Sequence, residues 1–166
     1  MTPSTTYSFP DLESEITGII QESEATYMLS SSAPSISISD FFADKFLMIT
    51  VIQRGVSYKM FQLIKNLAPF SEETWASFLD VSTKSLQRYK QSAKSFKPIQ
   101  SEKIIAMAEV THMGTLVFGS LPTFKLWLET PNFSLGNKTP LALLKDSYGK
   151  ELVLAELTRI QHGIFV

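Results

Sequence analysis

Apolar residues recur at helical spacing along most of the chain. From Asp11 onward, Leu12, Ile16, Ile19 and Ile20 share one face of an otherwise acidic segment, a spacing typical of an amphipathic helix. Residues 26–39 alternate serine with apolar residues instead. Because a lone strand there has no neighbour to pair with, we predict a loop or an extended arm. The pattern as a whole predicts an all-α protein.

Two apolar runs predict the longest helices after this first segment. One run extends from Phe41 to Ile52, where Ser39 or Asp40 can serve as the helix cap. The other extends from Ser101 to Phe118 and follows a basic loop over residues 91–100. The apolar faces at Phe41–Ile52 and Ile104–Phe118 offer more surface than one small helical bundle needs.

Between these runs the sequence has the pattern of a helix-turn-helix. A first helix would begin after Ser71, and a second would begin at Thr83 after a short turn. In the second helix Leu86, and to a lesser degree Tyr89, would point into the core. Six polar or basic residues are left for its outer face: Thr83, Lys84, Ser85, Gln87, Arg88 and Lys90. Gln and Arg can reach base edges while Ser, Thr and Lys hold phosphates, so this composition suits a DNA recognition helix.

Charge is distributed unevenly, although the formal net charge is only −1. Residues 1–51 contain seven acidic and one basic residue, residues 52–103 contain nine basic and four acidic residues, and residues 104–166 contain five of each. The basic middle segment would attract a polyanion such as operator DNA. An exposed basic helix that binds nothing would have the same composition, and charge alone does not separate the two.

The last forty residues, from Trp127 to Val166, combine turns with short helices. Pro140 can open a short helix, and Ser147 can cap the final one. Gly163 stands where the C-terminus of that helix needs a left-handed residue, and three apolar residues follow it. An apolar end of this kind fills a pocket either in its own core or in a partner.

This stretch resembles the toxin-binding domain of the Xre/MbcA/ParS family of bacterial antitoxins. The matching residues run through all of it: Trp127-Leu128, Pro131-Asn132, Leu135-Gly136, Thr139-Pro140-Leu141, Leu144, Gly149, Val153, Leu157, Ile160, His162-Gly163 and Val166. It departs at Asn137, where the family often has a second glycine. Leu86-Gln87-Arg88 is similar to the end of the family's recognition helix, whereas Tyr89 stands where the family often has another basic residue.

The resemblance implies an antitoxin of a type II toxin–antitoxin module, whose partner is a RES-domain toxin that consumes or transfers from NAD. Such an antitoxin would block the toxin's active site and repress its own operon. We predict that the toxin-binding residues lie at the end of the final helix and in the tail: Arg159, His162, Gly163, Ile164, Phe165 and Val166. The alternative is a stand-alone helix-turn-helix regulator whose C-terminal domain serves dimerisation.

Three segments are expected on this interpretation. Residues 1–40 form an acidic, Ser/Thr-rich N-terminal extension, residues 41–119 an Xre-like helix-turn-helix domain, and residues 120–166 the toxin-binding domain. Helix-turn-helix repressors usually bind palindromic DNA as dimers, so we also predict a homodimer.

Other classes of function find little support. The sequence has no cysteine and no metal-ligand cluster, so we expect neither a metal nor a cofactor. Its two histidines, His112 and His162, lack triad-like partners, and no Gly-x-Ser-x-Gly elbow occurs, so an enzyme is not expected. The N-terminus does not have the pattern of a signal peptide, and no apolar run approaches the length of a membrane span. The expectation is a soluble cytoplasmic protein.

Overall fold

The computed structural model describes residues 10–24, 35–92 and 94–164 of the chain. Within those residues the regular elements are all helical, which confirms the predicted all-α class. The helices are α1 Pro10–Glu24, α2 Ile38–Ala43, α3 Lys45–Arg54, α4 Tyr58–Leu67, α5 Glu72–Leu79, α6 Thr83–Ser92, α7 Pro98–Phe118, α8 Leu121–Glu129, α9 Pro140–Leu143 and α10 Ser147–Gln161, with a 3-10 turn at Phe133–Leu135.

The described residues form two compact units. One unit contains residues 67–83 and 106–164, and the other contains residues 10–66 and 84–105, apart from those not described. Both units are discontinuous in sequence, because the chain passes from one to the other at the end of α4, at the start of α6, and within α7.

The predicted single helix over residues 41–52 is wrong, because the chain forms two helices there. Asp44 has an extended backbone, and its carboxylate accepts a hydrogen bond from the Phe46 N–H at 2.8 Å. This caps α3 and separates it from α2, which Ser37 caps by accepting from the Asp40 N–H. The predicted caps at residues 39 and 40 therefore lie inside α2.

The long helix α7 begins at Pro98, three residues before its predicted start. Proline suits the first helical position because its missing N–H would be unpaired there in any case. The earlier start places Ser101 inside the first turns of the helix and in the core, fully buried. The predicted basic loop is correspondingly shorter, since residues 91 and 92 belong to α6.

In the unit of residues 10–66 and 84–105, α1 contributes to the core. Three residues of its predicted apolar face, Leu12, Ile16 and Ile20, are buried, and the fourth, Ile19, is half-buried. The Ile36 N–H donates to Thr17 Oγ1 at 3.0 Å, and the Ile38 N–H donates to Glu13 Oε1 at 2.9 Å. These bonds fasten the start of α2 to α1. The predicted loop or arm at residues 26–39 lies largely outside the described residues, and its end belongs to α2.

The other unit has its own buried residues from several helices. Phe70, Trp75 and Phe78 pack edge to face around α5, with ring centroids 5.2 to 6.1 Å apart. In the C-terminal part, Phe124, Leu128, Val153 and Leu157 are buried. The cap of α10 is Asp146 and not the predicted serine, because the Asp146 carboxylate accepts from the Gly149 N–H at 2.8 Å.

Candidate DNA and protein interfaces

Helix α6 presents the polar face that its sequence predicts. Leu86 is buried and anchors the helix. Five of the six residues predicted to bind DNA are exposed: Thr83, Lys84, Gln87, Arg88 and Lys90. The sixth, Ser85, is half-buried, and its Oγ accepts a hydrogen bond from Arg88 Nη2 at 3.0 Å. The structure thus leaves this face open to a ligand, and its role in DNA binding stays a prediction.

An aromatic stack holds the C-terminal part of α6. The ring of Tyr89 lies nearly parallel to that of Phe96, with centroids 4.3 Å apart, and its hydroxyl donates to Gln100 Oε1 at 3.1 Å. Phe96 also packs edge to face on Phe61 of α4, at 5.1 Å. Tyr89, which stands where the family often has a basic residue, therefore positions the helix through packing.

A buried hydroxyl connects the segments around this stack. Ser101 Oγ accepts from the Val56 N–H at 2.9 Å and donates to the Phe96 carbonyl at 3.2 Å. The Phe96 N–H in turn donates to the Val56 carbonyl at 2.8 Å. The link between α3 and α4, the segment before α7 and the aromatic stack are thus held by one hydrogen-bonded cluster. Helical periodicity could not reveal it, because Val56 and Phe96 lie outside helices.

A cleft of about 520 Å³ lies in the same unit. Residues of α4, the residue before it and one residue of α6 line it: Ser57, Tyr58, Lys59, Gln62, Leu63 and Lys90. Lys59 forms an ion pair with the carboxylate of Glu15 on α1. The hydrogen bond that Lys59 donates to Glu15, followed by the negative charge of Glu15, raises the pKa of Lys59 above its usual value. The cleft therefore contains two lysines, of which one already has an anionic partner.

Helix α10 exposes a stripe of residues along one face. Tyr148 and Leu152 are one helical turn apart and are 80% and 54% exposed. Arg159, two turns further on, is half-buried and forms an ion pair with the buried Glu156, with Nη1 and Oε2 3.0 Å apart. His162 is exposed at the end of the helix. An apolar region followed by a polar one thus leads along this face toward the tail.

The tail leaves α10 through a left-handed glycine, as predicted. Gly163 has φ of 68°, and the Ile164 N–H donates to the Arg159 carbonyl at 2.9 Å. The side chain of Ile164 is 57% exposed. Of the six residues predicted to bind the toxin, Phe165 and Val166 lie outside the described residues. The four that are described come together at the end of α10.

Gly149 lets α9 and α10 approach closely. A Cβ atom built on this residue would lie 1.8 Å from the Leu143 carbonyl oxygen and 2.7 Å from its carbonyl carbon. No side chain fits in that space, so only glycine permits the contact. The resemblance included Gly149, and the structure supplies the physical reason for it.

Helix α7 offers less spare apolar surface than predicted. Ile104, Ile105, Met107 and Val110 are buried, and Leu116 is its exposed large apolar residue between residues 104 and 118. On α3, in contrast, Phe46 is 81% exposed, and Ile49 is also exposed. Of the two apolar faces that the sequence predicted to exceed the needs of one bundle, the one on α3 is therefore the more exposed.

The described residues can also be compared with the requirements of a metal site and of a membrane-spanning helix. Among the described residues, no group of three or more His, Asp or Glu side chains could hold a metal ion. No single described helix is long and apolar enough to cross a membrane. The pair α7 and α8 meets that test together on length and composition, with a bend of 110° between the two helices.

The sequence matches two protein-family models. Residues 47–109 match the antitoxin Xre-like helix-turn-helix domain, and residues 113–163 match the antitoxin Xre/MbcA/ParS C-terminal toxin-binding domain. The chain is also similar to a curated protein named Antitoxin Xre from Yersinia enterocolitica serotype O:8 / biotype 1B. The two are 25% identical over 120 residues, which are 72% of this chain and 81% of the relative. Helices α1 and α2 precede both family matches.

Proposed function

The chain belongs to the Xre/MbcA/ParS-type antitoxins, and from this premise we propose that it neutralises a RES-domain toxin by binding over the toxin's active site. An Xre-like helix-turn-helix domain precedes its toxin-binding domain. The observation that carries the proposal is the exposed end of α10. There the arginine, the histidine and the first tail residue lie together beyond the last buried residues of the helix.

The tail supplies the apolar surface that a toxin cleft would bury. Ile164 is exposed although it is apolar, and Phe165 and Val166 follow it in the sequence. Moving an exposed side chain of this size into an apolar pocket is worth roughly 1.5–3 kcal/mol. Arg159 and His162 at the rim would orient the tail by hydrogen bonds to polar groups of the partner. We therefore propose steric inhibition, in which α10 packs on the toxin and the tail enters its cleft.

Removal of residues 163–166 tests this mechanism. In a co-expression growth assay, the shortened protein should fail to protect cells from the toxin. Its circular dichroism and melting temperature should change little, because terminal residues outside a core contribute little stability. Full protection by the shortened protein would contradict the mechanism, whereas a melting temperature lower by several degrees would show that the tail belongs to the protein's own core.

We also propose that α6 binds operator DNA and that the protein represses its own operon. Exposed Arg88 and Gln87 have the chemistry to read base edges, and exposed Lys84 can contact a phosphate. If Arg88 reads a base, Arg88→Ala should weaken binding to the upstream DNA by about 1–3 kcal/mol and relax its specificity. Lys84→Ala should weaken operator and scrambled duplexes alike. Absence of binding at low salt would remove the repressor role and leave the antitoxin role standing.

A homodimer is the assembly we propose for the DNA-binding form. The exposed Phe46 and Ile49 on α3 provide an apolar surface that a second copy could cover. Light scattering at tens of micromolar should give the mass of a dimer, and Phe46→Glu should shift it toward a monomer. Ile99→Glu, at another exposed apolar residue, is the matched control and should leave the mass unchanged. A monomeric mass for the natural chain would contradict the proposal.

A cytoplasmic, non-enzymatic role follows from these proposals, because the partners are an intracellular toxin and the operon's DNA. Repression alone would suit a stand-alone regulator equally well. The match of residues 113–163 to a toxin-binding domain favours the antitoxin. A toxin-sized reading frame beside this gene would support the same conclusion.

A further inference from the structure

Helix α1 lies before the part of the chain that matches the family, yet it reaches a basic residue of the helix-turn-helix region. The family match begins at residue 47, whereas α1 ends at Glu24. The carboxylate of Glu15 pairs with the ammonium group of Lys59, which lies 44 residues further along the chain. The acidic extension and the basic segment are therefore joined at one defined point.

Lys59 stands where it could serve DNA binding. It lines the cleft that also contains Lys90, a residue of the proposed recognition helix α6. The side chain of Lys59 is 73% exposed, so a ligand can reach it while Glu15 remains in place. Ser57 and Gln62 add polar groups to the cleft. Two ammonium groups with neighbouring hydrogen-bonding side chains form a suitable site for a phosphate of the DNA backbone.

We propose that Lys59 and Lys90 form a DNA-backbone contact and that Glu15 competes with the phosphate for Lys59, so that helix α1 lowers the affinity for DNA. This inference rests on the proposed DNA binding of α6. It assigns a role to the acidic helix α1, because its Glu15 carboxylate pairs with a lysine that DNA would otherwise contact. A contact with the backbone carries no base information, so the effect applies to all sequences alike.

Packing keeps Glu15 in this position. Leu12 and Ile16, on either side of it in sequence, are buried in the core of the unit. Further along α1, the Glu22 carbonyl accepts a hydrogen bond from Arg54 Nη2 at 3.3 Å. The hydrogen bond that Lys59 donates to Glu15 also raises the pKa of Lys59, because this bond favours the charged form of the lysine. DNA can displace this carboxylate from Lys59 but does not have to unfold α1 to do so.

The test compares the natural chain with Glu15→Gln, Lys59→Gln and the double variant. Binding to a short operator duplex and to a scrambled duplex of equal length is measured between about 50 and 200 mM salt. Glu15→Gln should bind both duplexes about two- to five-fold more tightly at low salt, the range expected for one exposed ion pair. Because Lys59 then contacts a phosphate without competition, more DNA counterions are released on binding, and the slope of log affinity against log salt should steepen by up to about 0.9.

The double variant separates competition for Lys59 from a general effect of charge. Without Lys59, Glu15 has nothing to compete for, so the double variant should bind both duplexes like Lys59→Gln, more weakly than the natural chain. A general effect of charge would instead return the double variant to the natural affinity. Glu22→Gln removes the same charge two turns further along α1 and should change affinity much less. Thermal melts of all variants should agree within a few degrees, which excludes unfolding as the cause.

Each other outcome overturns the inference in a distinguishable way. If Glu15→Gln raises affinity as much in the Lys59→Gln background as in the natural chain, Glu15 does not act through Lys59, and an equal gain from Glu22→Gln would show a general charge effect. If the natural chain binds DNA and Glu15→Gln binds it identically, the competition is absent while the proposed DNA binding stands. If neither binds any duplex at low salt, the proposed DNA binding itself fails.

Discussion

Replacing Gly149 by alanine tests the close approach of α9 to α10. The added Cβ would lie 1.8 Å from the Leu143 carbonyl oxygen, a distance that forces atoms to move. The neighbour is backbone within helical structure, so it cannot turn aside as a flexible side chain could. Overpacking of this kind costs about 1–3 kcal/mol, and we expect the upper end. The better helix propensity of alanine offsets about 1 kcal/mol, so the net loss is about 2 kcal/mol.

This loss should appear as a lower melting temperature. For a chain of 166 residues, each kcal/mol shifts the melting temperature by about 2–4 °C, so Gly149→Ala should melt about 4–8 °C below the natural protein. The assay is thermal unfolding followed by circular dichroism at neutral pH. In the co-expression assay the same variant should protect cells less well, because Gly149 shapes the start of α10.

Gly18 in α1 provides the matched control. A Cβ built there meets no atom within 4 Å, so the same substitution adds no clash and only improves helix propensity. Gly18→Ala should therefore raise stability by about 0.5–1 kcal/mol. The same glycine-to-alanine substitution would thus lower stability at residue 149 and raise it at residue 18. If Gly149→Ala melts at or above the natural temperature, the close approach of α10 to Leu143 is wrong.

Three further substitutions test the described contacts. Ser101→Ala leaves the buried Val56 N–H without its acceptor and should lower the free energy of unfolding, measured with denaturant, by about 1–3 kcal/mol. The exposed control Ser92→Ala should cost far less, and equal effects would contradict the buried hydrogen-bonded cluster. Asp44→Ala removes the acceptor for the Phe46 N–H and should cost about 0.5–2 kcal/mol, and an unchanged unfolding midpoint would argue against the break between α2 and α3. Burial lowers the pKa of His112 below its usual 6.5, so on acidification the unfolded chain binds the proton before the folded chain does. The free energy of unfolding should therefore fall as the pH drops below about 6.5. His112→Gln should reduce that fall, and an identical pH profile for the variant would refute the role given to His112.

Much of the helical framework is predictable because its signals are local. The apolar face of α1 and the single buried Leu86 in α6 follow from spacing alone, and both are confirmed. Gly55 and Gly163 end their helices in left-handed conformations, with φ of 88° and 68°. Each of these features depends on residues within one or two helical turns, which is the range over which periodicity and capping operate.

Helix boundaries were missed where two capping arrangements competed. Between Ser37 and Asp44 the chain contains several residues that can cap a helix, and apolar residues at helical spacing continue on both sides of Asp44. Spacing favours one long helix, but the Asp44 carboxylate stabilises a second helix start in the middle of the run. At α10 the same ambiguity existed between Asp146 and Ser147, and the carboxylate is again the cap. A charged acceptor forms the stronger hydrogen bond at a helix N-terminus.

The candidate sites depended on contacts that no local pattern contains. Charge distribution alone gives an acidic block and a basic block, and it does not show whether the basic residues bind a polyanion or stay solvated. Because Glu15 and Lys59 are far apart in sequence, only the folded chain shows that they neutralise each other. A count of the basic residues therefore overstates the attraction of the basic segment for DNA, because it includes lysines such as Lys59 that already have an anionic partner in the protein. The electrostatic part of DNA binding should follow the lysines left without an anionic partner, and the salt dependence of the Glu15 variants measures that number directly.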